Sequence, residues 1–133
     1  MLKMRVYPEA WRGKKHLYVD VRVFRDRKAM HRDIKSGHFG PANNCHGQCS
    51  GIAHYDKRGK LTGKFAIMWL NAEDLRAKPA EIVAHESIHA AMRHMKNKSV
   101  DLSDMAGEEA LCYCAGSMTQ QINDRLYRAK VFA

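Results

Sequence analysis

From His16 to Phe24 the chain reads HLYVDVRVF, with Leu17, Val19, Val21 and Val23 alternating against polar partners. A period of two predicts a strand with one face buried. The spacing then changes. Ala29, Met30 and Ile34 recur at helical intervals among charged residues, and the stretch GHFGPANN at 37–44 closes that helix and opens a loop. Two extended runs follow, Gly51 to Tyr55 and Lys64 to Leu70, joined by DKRGKLTG, whose glycines and charges suit a hairpin connection. The second run, KFAIMWL, is nearly all apolar.

Pro79 suits the first turn of a helix, where its missing N–H would find no partner, and Ala80 through Met95 continue without a breaker. Asn97 and the stretch from Ser99 to Asp104 end that helix. Ser103 or Asp104 can then cap a last helix reaching to about Arg128, with Leu111, Ala115, Met118, Ile122 and Leu126 as its apolar stripe. The pattern predicts an α+β domain, a small mixed or antiparallel sheet packed beside two long helices.

At 133 residues the chain fits a single domain, 1–133, because two cores would each be too small to bury enough apolar surface. Met1 to Trp11 alternates charged and apolar residues and lacks the apolar core of a secretion signal, and no segment approaches a membrane span. A reducing, cytoplasmic location is therefore expected, with Cys45, Cys49, Cys112 and Cys114 as thiols and the last two filling core. The net charge of +9 is uneven: residues 1–37 hold eleven Lys or Arg against four acids. That basic strand-and-helix region could attract a nucleic acid or other polyanion, or serve solubility alone.

His85-Glu86-Ser87-Ile88-His89 matches H-E-x-x-H. The i, i+4 spacing sets both imidazoles about 40° apart on one helical face, where they can share an ion, and turns Glu86 about 100° away to flank it. Two neutral imidazoles and a carboxylate leave zinc an open position for water, and Glu86 is placed to take that water's proton. A chance match in a chain of this composition has a probability of roughly 2%. A third ligand is expected from the acidic pair Glu108-Glu109 on the last helix. The apolar stripe favours Glu108, whereas Cys112 and Gly116, small residues one and two turns on, favour a close approach at Glu109. Cys45-His46-Gly47-Gln48-Cys49 lacks the four ligands of a closed site and reads as a loop with buried thiols near the cleft.

HESIHA followed by GEEALCYCAG resembles the gluzincin branch of zincin metallopeptidases, in particular the minimal zincin-like proteins often encoded by phages, across residues 64–120. The resemblance implies a zinc core within 64–128 holding one zinc per chain. It implies hydrolysis of a protein or peptide with Glu86 as general base, and His85, His89 and Glu109 as ligands, Glu109 falling twenty positions after His89. It also implies an oxyanion-stabilising Tyr or His, for which Tyr113 is the first choice among Tyr55, His54 and His94. His94, about 140° round the helix from His89, is expected on the surface. KFAIMWL would either border the cleft and pair with substrate or lie buried at the sheet centre. Two alternatives stand beside this reading: a protease similar to the SprT-like enzymes that act on DNA-attached proteins, and a zinc-binding scaffold without catalysis.

Overall fold

A computed structural model describes residues 1–40 and 45–132. The elements run β1 (Leu2–Val6), a 3-10 turn (Ala10–Arg12), β2 (Leu17–Phe24), α1 (Arg27–Ser36), β3 (Gln48–Gly51), β4 (Gly63–Asn71), α2 (Ala72–Ala77), α3 (Pro79–Asn97) and α4 (Met105–Arg128). The α+β class is as the sequence indicates. The sheet is mixed, in the order β1-β2-β4-β3, with β2 and β4 parallel and both edge strands antiparallel to their neighbours. The start of the chain, whose alternation had only argued against a leader, forms edge strand β1. The short helix α2 had no signal of its own.

Side chains of opposite parity build two cores. Val19, Val21 and Val23 of β2 and Ala66, Met68 and Leu70 of β4 face α3 and α4, where they meet Val83, Ala90, Met118 and Ile122. Ile67 and Trp69 point to the other face and are covered by Met30 and Ile34 of α1. Because β4 is buried on both faces, its run is apolar without alternation. KFAIMWL is therefore the central strand, and the cleft border falls to β3, an edge strand that begins earlier than the extended run expected at Gly51. The hairpin between β3 and β4 is present. Its turn is held by Asp56 Oδ1, which accepts from the Arg58 and Lys60 amides, while Gly59 takes a φ of 77° that favours glycine.

The caps follow local chemistry. Asp26, Asn71 and Asp104 accept from backbone amides at the starts of α1, α2 and α4, at 2.8, 2.8 and 2.7 Å. Pro79 opens α3 at its first turn. Gly107 marks the closest backbone approach, since a Cβ there would collide with the Asp101 carbonyl. Of the loop expected at 37–44, residues 41–44 lie outside the described residues.

Candidate metal and hydrolase site

Each residue of α3 turns about 100° from the last, so burying Val83, Glu86, Ser87, Ala90 and His94 against the sheet leaves His85 and His89 on one exposed flank. Their Nε2 atoms lie 3.2 Å apart, with the rings edge to face. Tetrahedral zinc with Zn–N distances near 2.05 Å separates two ligand nitrogens by about 3.3 Å, so the spacing of the pair fits such an ion. Ligand atoms of His85, Glu86 and His89 all lie within 4.8 Å of one another, the one such group of three found among the described residues.

Glu86 is only 4% exposed. Burial pushes its carboxyl up to about 7, against the opposing pull of His85, and no donor among the described residues holds it. A carboxylate desolvated in this way is a stronger base than one in water. The loop Cys45 to Gly47 lies directly over it. At Gly47 a Cβ would stand 3.2 Å from Glu86 Cγ, from Glu86 Oε2 and from the Trp69 carbonyl oxygen, so any side chain there would crowd the base. This loop, with Glu81, Ile82, His85 and Glu86, lines a cavity of about 240 Å³.

His46 also lines that cavity. Its Nδ1 lies 3.1 Å from Asp74 Oδ1. Asp74 also receives two hydrogen bonds from Arg27, at 2.6 and 2.9 Å, and one from Asn71 Nδ2 at 2.9 Å. The Arg27 bonds hold the Asp74 carboxyl far below the usual carboxylate range. Arg27 Nη2 lies 3.3 Å from the same ring nitrogen, so Asp74 and Arg27 together fix the His46 imidazole at Nδ1. The loop itself is pinned: Asn71 Nδ2 donates to the His46 carbonyl at 3.2 Å, and His31 Nε2 donates to the Cys45 carbonyl at 2.9 Å.

Sequence reasoning missed His46, Gly47, Asp74 and Arg27 as parts of the site. His46 had been weighed only as a metal ligand. Its orienting pair, Arg27 and Asp74, lies 47 positions apart in the chain, so no local pattern connects them. Cys45 and Cys49 are thiols near the cleft, but both are half-buried, not buried, and Cys49 lies on β3 and not in the loop; burial raises both, Cys49 to about 12.

Other expected residues are placed differently. His94 is completely buried against Phe65, not on the surface, because α3 is covered by the sheet along that side. Tyr113 is exposed, packs on Trp11 at 5.3 Å between ring centres, and lines a groove with Cys112, Gly116 and Gln121 instead of the Glu86 cavity. Tyr55 and His54 sit in the exposed hairpin arm. Cys114 fills core, but Cys112 is exposed.

The reason given for Glu109 does not hold in this packing. Cys112 and Gly116 are exposed, and a Cβ on Gly116 would meet nothing within 4 Å, so α4 makes no close approach there. The buried face of α4 is carried by Gly107, Cys114, Met118, Ile122 and Leu126. At 100° per residue Glu108 lies about 60° from the middle of that face and Glu109 about 160°. Both carboxylates are exposed, and neither joins the group formed by His85, Glu86 and His89. No family model, no curated protein and no solved structure matches this chain, so the chemistry of the site rests on its own geometry.

Proposed function

We propose that the chain is a zinc-dependent peptidase. The observation that carries this reading is the 3.2 Å approach of the His85 and His89 nitrogens beside a buried Glu86 that has no partner among the described residues and opens into a cavity. His85 and His89 would hold the ion with a carboxylate from α4, and the rotation of that helix favours Glu108 over Glu109. Bound there, zinc supplies Lewis acidity to a carbonyl and a nucleophilic water near neutral pH. Glu86 takes a proton from the attacking water and returns it to the leaving amine. His46, held at Nδ1 by Asp74 and Arg27, lines the same cavity and is the candidate donor to the developing oxyanion. Gly47 keeps the space over Glu86 clear, and the free edge of β3 can pair with an extended peptide.

A nucleic-acid or other polyanion partner is favoured by one observation. Lys28, His31, Arg32 and Lys35 of α1 line a basic groove with Glu73. This would suit a protease acting on proteins held on DNA. A scaffold role without catalysis is disfavoured by Glu86, because burying a carboxylate without a partner costs stability that a purely structural site would not need to spend.

The decisive experiment combines zinc analysis of the purified protein with proteome-wide cleavage profiling of wild type and Glu86→Gln. About one zinc per chain in both, with cleavage lost by a factor of ~10² to 10⁴ in the variant, is expected. Equal cleavage by the two proteins, or a wild type without metal, would reject the peptidase reading.

A further inference from the structure

β3 runs alongside α3 in the same direction, with Gly47 at Glu86 and Gly51 at Arg93. Past His89, a second groove of about 490 Å³ is lined by Cys49, His89, Met92, Arg93, Lys96 and Leu102 among others. No carboxylate lines it. The Arg93 guanidinium lies flat against the strand: a Cβ at Gly51 would stand 2.5 Å from Arg93 Nε and 2.6 Å from Cζ. Among the described residues the buried Arg93 Nε has no hydrogen-bond partner and Arg93 forms no ion pair. A guanidinium that has lost solvent on one side and gained no counterion is an unsatisfied charge.

The surroundings shape what could satisfy it. Lys96 adds a second positive charge at the groove's rim, while Met92, Val100 and Leu102 give it apolar walls. The last carbonyls of α3, which would repel an anion, are occupied: those of His94, Met95 and Lys96 accept from the Lys98, Val100 and Ser99 amides. Asp101, in the adjoining loop, is engaged by Ser103. A planar fork that accepts two oxygens, set beside apolar walls, matches a carboxylate on a short aliphatic stem.

We infer that this groove is a carboxylate subsite beyond His89, filled by an acidic side chain or by the free C-terminus of the bound peptide. The inference rests on the peptidase reading for the peptide nature of the ligand. It makes the protein selective for acidic segments or chain ends.

The test uses zinc-loaded Glu86→Gln protein, which binds without turnover, immobilised and challenged with random hexapeptide libraries. One pair of libraries fixes Glu or Gln at a central position with an amidated end; a second pair carries a free or an amidated C-terminus with no acidic residue. At least fivefold better retention of the Glu library identifies a side-chain carboxylate, and the same preference for the free end identifies a terminal one. Arg93→Gln should abolish whichever preference appears, with Lys96→Gln reducing it. Equal retention within both pairs, or a preference that survives Arg93→Gln, overturns the subsite. In the unsubstituted chain, the Arg93 Nε–H resonance should shift saturably with glutarate and not with glutaramide; no shift overturns it independently of any fold change in the variants. Wild type that cleaves nothing while the carboxylate preference holds removes the peptidase reading alone, and cleavage without the preference removes the subsite alone.

Discussion

Helix α3 carries three histidines in two settings. His85 and His89 stand on an exposed flank with their nitrogens converged, whereas His94, five residues further on, is sealed in the core with both ring nitrogens unpartnered. Its surroundings are the Phe65 ring at 5.5 Å and the Glu9 carboxylate at 4.0 Å, and Glu9 is already held by Lys98 at 2.7 Å. One helix thus uses the same side chain as a candidate ligand and as a neutral core group. The difference comes from what the flank faces: open cleft for the pair, the sheet for His94.

Metal content gives the sharpest separation. His85→Ala or His89→Ala should lose zinc completely, while His94→Ala should keep it and fold less stably. Glu108→Ala should also lose zinc and Glu109→Ala retain it. Loss of metal in the His94 variant would break the division of roles, and a metal-free Glu109 variant would reverse the reading of α4.

The next contrast concerns a histidine from outside the helix. His46→Ala should lower turnover about 10²-fold with zinc content unchanged. Asp74→Asn should give a similar loss by releasing the imidazole orientation. Unchanged steady-state kinetics in both variants would return His46 to the role of loop filler.

A smaller effect is expected from acid. Burial depresses His94 to about 4 from the ordinary 6.5, with Glu9 pulling the other way and Lys98 and His16 adding to the depression. A depressed histidine binds its proton more readily in the unfolded chain, so its contribution is complete above pH 6.5 and declines as pH falls towards 4. The loss is on the order of 3 kcal/mol. Urea midpoints measured across that window should fall in wild type and fall less in His94→Leu. Identical slopes would mean that His94 does not titrate as a buried group.

The smallest effect belongs to the basic face. Arg27 and Arg22 are occupied by Asp74 and by Asp20 and Asp33, so any polyanion binding would fall to Lys28, Arg32 and Lys35 of α1, which form no ion pair among the described residues. Reversing Lys28, Arg32 and Lys35 to Glu should advance elution from heparin to lower salt without altering zinc content. Unaltered elution would assign those charges to solubility.

The long periodic segments were legible because their patterns report one-sided burial directly. Val19, Val21 and Val23 announced β2, and Met118, Ile122 and Leu126 announced α4. His85, Glu86 and His89 were legible for the same reason, since helical spacing alone brings them together. His46, Asp74 and Arg27 were not, because they meet only after α1, the loop and α2 have packed. Burial of His94 depended on how far the sheet wraps α3, which spacing within the helix cannot report. Glu108 and Glu109 differ by one helical step, and which of them turns inward depends on how the whole buried face of α4 packs, from Gly107 to Leu126.

The parallel pairing of β2 with β4 has a kinetic consequence. Everything between Phe24 and Gly63 must be looped out before those strands can join, so the central pairing of the sheet carries the entropy of closing a long loop. The helices α3 and α4 are local and adjacent, and can dock early as a hairpin. His85 and His89 would then converge while the cavity wall is still unformed, and an ion captured at that stage would bind an intermediate as well as the finished protein. Refolding with and without zinc should accordingly differ in rate as well as in yield.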